Sequence, residues 1–335
     1  MSLPTAATTP LRNAYDGQTV CVTGGAGFIG GHIVDHLVGL GARVRVIDDL
    51  SNSTSDHVLA DERQARVRFV MGSILEDGAL RDAVAGARVV FHLAAVGAVA
   101  RSIENPARSW AVNATGTLRV LEAARAAGVR RVVYAASSSA YGDQPTLPKV
   151  ETQMPKPRSP YAASKLAGEQ LMAAWAASYG LSTISLRCFN VFGPRQNARS
   201  PYAAVVPAFA SKVASGERPI IHGDGLQSRD FTPVDDAAYA MLLAGASNKP
   251  LAGEVVNVGT GRRTSLIELG RMIGERMGAR TELEFEHRPA MEGDVRHSQA
   301  DLARARELLG YEPLVTLEQG LDAACAWYRR SEAVA

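Results

Sequence analysis

An α/β fold, with a doubly wound parallel sheet and a smaller C-terminal α/β substrate-binding lobe laid over it, is what three features of the sequence predict. Short apolar runs alternate with amphipathic stretches through the first half of the chain. The runs show almost no polar alternation, as expected of strands covered by helices on both faces. Gly41 and Gly128 each follow an amphipathic stretch, where a left-handed glycine ends a helix with least strain. Repeated β-α units of this kind imply right-handed crossovers and a Rossmann arrangement.

Residues 1–17 carry Pro4 and Pro10 and lack a charged head followed by an apolar run, so they are expected to form a tail and not a signal peptide. Strands are predicted over 19–23, 44–47, 67–71, 89–93 and 132–136, with helices over 31–40, 74–84 and 114–127 between them. After Gly180 the rhythm changes. A strand over 182–186 precedes a Pro/Arg/Asn-rich loop, 193–201. An apolar pair at 220–221 and Gly223-Asp224-Gly225 come next, then a strand over 254–258, a helix over 265–277 and a strand over 282–285. Helices over 300–309 and 317–329 close the chain. Residues 1–180 are therefore expected to form the nucleotide-binding domain. Residues 181–335 mainly form the lobe, with some segments returning to the first domain, over the carboxyl ends of the strands where doubly wound proteins bind ligands.

Composition narrows the function. With 335 residues, 46% hydrophobic and 21% charged, the chain has the make-up of an ordinary globular protein. A formal charge of +2 is no electrostatic footprint for nucleic acid. Cys21, Cys188 and Cys325 are far apart, which argues for reduced thiols and against structural zinc. The longest apolar stretch, 89–100, falls short of the roughly 20 residues a bilayer needs, so no membrane partner is expected and the cytoplasm is the expected compartment.

Two motifs carry chemistry. Thr23-Gly24-Gly25-Ala26-Gly27-Phe28-Ile29-Gly30 places glycines at 24, 27 and 30 between the first strand and first helix. Gly24 permits a tight turn, Gly27 a close approach by a diphosphate, and Gly30 close helix–strand packing. Asp48 ends the second strand, where a carboxylate accepts a ribose 2′-hydroxyl and repels a 2′-phosphate, favouring NAD over NADP. Further on, Tyr161-Ala162-Ala163-Ser164-Lys165 sets a phenol and an ammonium on one helix face. A free phenol ionises near ~10, so it needs a cation to act as a base at neutral pH. Ser137-Ser138-Ser139-Ala140-Tyr141-Gly142 follows the fifth strand, where one hydroxyl could share a proton with Tyr161. The chain has five lysines, which makes Lys165 at this spacing more telling.

With these motifs the chain resembles the extended short-chain dehydrogenase/reductases, within them the NAD-dependent epimerase/dehydratases, and most closely UDP-N-acetylglucosamine/UDP-glucose 4-epimerases. The resemblance runs through TGGAGFIG, HLAA at 92–95, Asn113-x-x-Gly116, SSSAYG, YAASK, RCFNVFGPRQ, GDG-x-x-SRDF, NVGTG and GDVRHSQAD. It implies that Tyr161 removes the sugar C4-hydroxyl proton while NAD takes the C4 hydride, and that the 4-keto sugar turns over before the hydride returns. Lys165 then lowers the Tyr161 pKa and holds the nicotinamide ribose, and Ser137 is the catalytic hydroxyl. Gly27, Phe28, Ile29, Asp48, Leu50, Asn52, Ser73, Ile74, Leu93, Ala94, Ala95, Asn113 and Phe189 match cofactor contacts. Ser138 and Ser139 match the sugar side, Asn190 and Arg229 the diphosphate, and Ile221 and His222 the uracil; Val205 and Arg101 are further substrate candidates. The alternative for Arg229 is an ion pair with Asp230.

Three departures stand out. Ser73 replaces an aspartate that accepts the adenine amino hydrogen. Met291 replaces a diphosphate arginine, for which Arg288 could substitute. Ser298 stands at a gatekeeper position that is bulky in glucose-restricted relatives, and a small residue there leaves room for a 2-acetamido group. Dehydration is disfavoured, because Ser138 and Ser139 stand where an Asp-Glu pair would be needed. A UDP-glucuronate epimerase or decarboxylase stays open, with Arg101 or Arg195 pairing a carboxylate. A dinucleotide-binding sensor without turnover is the reading of a different class. His32 and His36 lack a third ligand, so no metal is expected. His92 is expected to be structural, His297 borders Ser298, and Trp110, Trp175 and Trp327 are expected in the core or an interface. Apolar positions over 113–127 and 161–179 suggest a helix-on-helix dimer seam, unless the C-terminal lobe covers that surface, and the resemblance implies a homodimer through a four-helix bundle.

Overall fold

The structure, a computed structural model, describes residues 4–59, 65–198, 200, 202–279, 283–290 and 295–332. In chain order the elements are α1 (Thr5–Tyr15), β1 (Thr19–Thr23), α2 (Phe28–Gly39), β2 (Arg43–Asp48), β3 (Val67–Met71), α3 (Asp77–Val84), β4 (Val89–His92), α4 (Val99–Glu104), α5 (Pro106–Trp110), α6 (Gly116–Ala126), β5 (Arg131–Ser137), α7 (Pro160–Tyr179) and β6 (Ser182–Cys188). There follow β7 (Val191–Phe192), α8 (Val205–Ala214), β8 (Ile220–His222), β9 (Ser228–Arg229), β10 (Thr232–Pro233), α9 (Val234–Ala246), β11 (Ala252–Val258), β12 (Thr264–Ser265), α10 (Leu266–Met277), β13 (Glu286–Arg288), α11 (Ala303–Leu309) and α12 (Leu317–Glu332).

The apolar runs pair into a wholly parallel seven-stranded sheet of order β11-β6-β5-β4-β1-β2-β3. One face is covered by Ile33, Val34 and Leu37 of α2, by α9, and by Ala305 and Leu309 of α11. The other is covered by α3, α6 and α7 through Leu80, Val120, Leu121 and Met172. The strand order reverses between β1 and β4, which opens a crevice at their carboxyl ends. A separate apolar cluster of Phe209, Ile221, Leu269, Ile273 and Leu321 knits α8, α10 and α12 together. The chain after residue 181 is thus shared: β6, α9, β11 and α11 pack with the sheet, and α8, α10 and α12 with one another.

Several elements differ from the sequence reading. Residues 1–3 lie outside the described residues, but Thr5–Tyr15 of the expected tail is a helix. Leu11 and Tyr15, one turn apart, are buried, and the Tyr15 hydroxyl donates to Leu242 O at 2.6 Å. Two anchoring residues make too short a stripe to show as periodicity. The helix expected from 74 begins at Asp77, and the one expected from 114 is entered through a π turn, Ala111–Thr115. Residue 282 lies outside the described residues and 283–285 are not strand; the strand is β13, which pairs in parallel with β8. In the loop 193–201, residues 199 and 201 lie outside the described residues, as does Met291.

Candidate active site

The glycine loop is tight because three side chains are missing. Gly24 has φ +70°, and a Cβ there would lie 2.7 Å from Ala94 N. A Cβ on Gly30 would lie 2.1 Å from Gly24 O, and one on Gly27 3.2 Å from the same atom. No side chain caps α2, whose N-cap is Gly27, so its first N–H groups are left without a capping side chain. Free donors, a positive helix end and a cradle that any Cβ would fill are what a dinucleotide diphosphate requires. The Asp48 carboxylate accepts from Ala26 N at 3.0 Å, Leu50 N at 2.9 Å and Ser53 Oγ at 3.2 Å, which ties the glycine loop to the turn after β2. Burial pushes its pKa up against the pull of those bonds. Leu50, Ala98 and Arg195 are non-glycine residues with φ of 55°, 72° and 68°. All three lie in loops at the carboxyl edge, where strained backbone clusters around ligand sites.

The hydroxyl, phenol and ammonium come from three elements. Ser137 ends β5 in direct register with Cys188 of β6. Its Oγ accepts from the Ser139 hydroxyl at 2.8 Å and the Ser139 N–H at 3.2 Å, which leaves its own hydrogen for Tyr161. Ser159 caps α7 by accepting from Ala162 N at 3.1 Å, and Pro160 presets the first turn. Ser102 of α4 accepts from Tyr161 N at 3.0 Å and so fixes where the phenol starts. Burial raises the Tyr161 pKa, and the Ser137 hydroxyl facing it draws it down. One helical turn on from Tyr161, the Lys165 ammonium lies over the Tyr134 ring, 4.5 Å from its centroid. Burial lowers Lys165 itself to about 8, against the opposing pull of Cys188 and Glu169.

A buried hydrogen-bond chain joins the glycine loop to this pair. Thr23 Oγ1 accepts from Leu93 N and Ala94 N, at 3.2 and 3.1 Å, and reaches His92 Nδ1 at 2.7 Å. His92 Nε2 reaches Thr117 Oγ1 at 2.9 Å, and Thr117 donates to Asn113 O at 2.6 Å. Thr117 has given its hydrogen away, so the network assigns the His92 proton to Nε2. Burial lowers His92 to about 3, so the ring is neutral. Asn113 accepts from Val96 N at 2.8 Å and donates to Val96 O at 3.1 Å and Ser164 Oγ at 3.0 Å. Both amide hydrogens are therefore engaged within the protein. Asn113 braces α7 against the loop after β4, with at most one free lone pair for a cofactor.

Across the crevice the lobe contributes charge. Arg229 donates to Ser228 O at 3.0 Å and Arg296 O at 3.2 Å. It does not pair with Asp230, which is buried and accepts from Thr260, Gly261 and Ala300. Arg263, Arg296 and Arg229 face His297 and lower its pKa after burial, with Asp143 opposing. His297 Nδ1 meets Ser228 Oγ at 2.8 Å. Ser298 is 8% exposed, and its hydroxyl is buried without a partner. Arg288 pairs with Glu286 at 2.8 Å on the surface. Arg101 donates to Asn52 Oδ1 at 3.2 Å and lies over the Tyr202 ring, while Arg195 pairs with Asp35 at 2.8 Å.

The remaining candidates fall into place by burial. Phe28, Ile29, Leu93, Ala94, Ser138, Ser139, His222 and Val205 are half-buried, and Asn190 and Ala95 are exposed. Ile74 and Phe189 are buried, and Ser73 Oγ caps its own turn by accepting from Leu75 N at 3.2 Å. Ile221 is 0% exposed within the lobe cluster, so its side chain serves packing and only its backbone could meet a base. His32 and His36 bond Pro194 O and Asp235, each at 3.1 Å. Trp110 is 51% exposed, unlike the partly buried Trp175 and Trp327.

Residues 20–259 match the profile of the NAD dependent epimerase/dehydratase family. The chain belongs to that family. The UDP-glucose 4-epimerase of Mycolicibacterium smegmatis is 40% identical over 311 residues, 92% of this chain and 97% of that one. The solved UDP-glucose 4-epimerase of Thermotoga maritima, with UDP-glucose, is 36% identical with a TM-score of 0.87, over 94% of this chain and 100% of that one. A UDP-N-acetylglucosamine 4-epimerase from Methanobrevibacter ruminantium M1, in complex with UDP-N-acetylmuramic acid, is 33% identical with a TM-score of 0.88, over 95% and 99% of the two chains. Coverage this complete extends the likeness from the sheet to the lobe of this epimerase/dehydratase.

Some residues around Tyr161 and Lys165 escape a linear reading. Cys188 faces Tyr161 and Lys165, and burial pushes its thiol up to about 12. Glu169, one turn after Lys165, is held by Arg187 at 2.9 and 2.7 Å with both side chains buried. The spacing Lys165-x-x-x-Glu169 could have flagged the glutamate. Only strand register reveals Cys188, Arg187 and Tyr134.

Proposed function

We propose that this chain is an NAD-dependent UDP-hexose 4-epimerase. The observation that carries the proposal is the Ser137 hydroxyl facing the Tyr161 phenol, where it draws the phenol's pKa down against burial. That pair sits at the carboxyl edge of β5, with Lys165 on the same face of α7 and the glycine cradle two strands away. Bound in the cradle, NAD supplies reversible oxidation at the sugar's C4. Tyr161 takes the C4-hydroxyl proton and later returns it, and Ser137 orients the exchange. Lys165, protonated below about pH 8, supplies the positive charge beside the reacting hydroxyl. Arg229 serves the diphosphate, since a guanidinium matches two phosphate oxygens at once.

The substrate follows from what the pocket offers. Arg101 and Arg195, the two arginines that could meet a uronate, are already engaged by Asn52, Tyr202 and Asp35, which supports a neutral sugar. Dehydration lacks its carboxylate pair beside Ser137. Ser298 is small, and an unsatisfied buried hydroxyl costs ~1–3 kcal/mol until something bonds it. An acetamido group at C2 would fill the space and meet the hydroxyl, so both N-acetylated and plain UDP-hexoses are expected substrates. Incubation with UDP-GlcNAc, UDP-glucose and UDP-glucuronate separately, followed by proton NMR, tests this. C4 epimers are expected from the first two; a keto product, carbon dioxide or turnover of the uronate alone would overturn the reading.

Pairing of two copies through α6 and α7 belongs to the same proposal. Trp110 and Tyr179, 51% and 55% exposed, lie near that seam, and light scattering on the eluted protein should give twice the chain mass. Among the described residues no helix is long and apolar enough to cross a membrane, and we place the enzyme in the cytoplasm.

A further inference from the structure

Tyr134, on β5, has no part in the proposed reaction, yet it touches Lys165 at both ends. Its ring lies beneath the ammonium, with Nζ 4.5 Å from the ring centroid. Its hydroxyl donates to the Lys165 carbonyl at 3.4 Å. The side chain is 1% exposed, and burial keeps its phenol protonated, so Lys165 meets a neutral ring and not an anion. A Cβ on Gly168 would lie 2.3 Å from the Tyr134 hydroxyl oxygen. The ring reaches α7 because position 168 carries no side chain.

We propose that Tyr134 is a positioning residue whose ring seats the Lys165 ammonium in the floor of the active site, with Gly168 as the opening that admits it. Lys165 is buried and has lost much of its water; a ring face returns part of that stabilisation, most strongly where the cation is desolvated. The surroundings are arranged for a single positive charge. From β4, His92 stacks on the same ring, with centroids 5.4 Å apart at 30°, and it is neutral. From β6, the Cys188 thiol is protonated at neutral pH, and Arg187 is occupied by Glu169 of α7. Tyr161 shares α7 with Lys165 and faces Ser137. The inference rests on the role proposed for Lys165.

The test is the titration of Lys165, read by 13C NMR of the full chain labelled in its lysines. Five lysines make assignment by single Lys→Arg variants practical. Tyr134→Phe keeps the ring and should leave the Lys165 midpoint in place. Tyr134→Leu removes the ring and should lower the midpoint by about one pH unit, the tenfold change a desolvated cation–ring contact is worth. The high-pH limb of epimerase activity should move with it in Tyr134→Leu and stay in Tyr134→Phe. A Leu variant with an unmoved midpoint, or a Phe variant that falls as far, overturns the proposal. Where Tyr134→Leu fails to fold, a series of fluorinated phenylalanines at position 134 weakens the ring face without changing its shape. The midpoint should fall with each added fluorine, and a flat series overturns the proposal. The titration needs neither cofactor nor turnover. Wild-type protein inactive on every UDP-sugar would sink the proposed function, whereas the seating of Lys165 on Tyr134 stands or falls with the midpoints alone.

Discussion

The two walls of the crevice are built differently. On the sheet side, Gly24, Asn113, Ser137, Tyr161 and Lys165 are fixed by buried bonds and close contacts within the protein. On the lobe side, His222 and Arg229 sit on strands of two or three residues, and Asn190 follows a strand end in the open. The wall proposed to do the chemistry is therefore braced by the protein's own bonds, as catalysis by orientation requires. The wall proposed to recognise the nucleotide is held by short strands of two or three residues.

The sharpest way to break that contrast is Tyr161→Phe. It should cut turnover by ~10²–10⁴-fold and leave NAD affinity intact by fluorescence titration; near wild-type rates would show that the sheet wall is not the catalytic one. Glu169→Ala comes next, because it strands the buried Arg187 charge. Urea unfolding should show a loss of ~3–5 kcal/mol, and a loss below about 1 kcal/mol would mean that the sheet wall is not braced by this pair.

Lys165 gives a pH test of the same wall. Its pKa is depressed to about 8, so the ammonium is charged below that pH and neutral above it. Activity should decline as the pH climbs past about 8. Fold stability should rise between about 8 and the ordinary lysine value, because the unfolded chain still binds a proton that the native state has released. Rates that keep climbing through about pH 10 would mean that the Lys165 charge plays no part in turnover.

The lobe wall predicts smaller and more selective effects. Arg229→Ala should raise KM for UDP-glucose about tenfold with little change in kcat, the loss of roughly one charge-assisted bond; an equal fall in kcat would move Arg229 to the chemical wall. Ser298→Tyr should suppress turnover of UDP-GlcNAc and spare UDP-glucose. Equal losses on both would remove Ser298 as the gate.

The same contrast governs what is legible in the sequence. The glycine triplet, Asp48 and the Tyr-x-x-x-Lys pair are each local in sequence, and each depends on one turn or one helix face. Cys188, Tyr134 and Ser102 are near Tyr161 or Lys165 only because β5, β6, α4 and α7 meet, which no spacing records. Ile221 resembles a ligand contact in a linear match and is a packing residue, since alternate positions on a three-residue strand face opposite ways. Asn113 matches a cofactor contact in sequence, and the engagement of its amide hydrogens by Val96 and Ser164 is visible only in the fold. The strand expected near 285 is displaced because β13 is fixed by pairing with β8 and not by its own exposed residues.

The most direct measurement follows the hydrogen at C4. UDP-glucose carrying deuterium at C4 is turned over in ordinary water and the product is examined by NMR and mass spectrometry. Removal and return within one closed site, with Tyr161 handling only the hydroxyl proton, predicts that both epimers keep the deuterium at C4 in full. Deuterium lost to solvent as the epimer forms would contradict it.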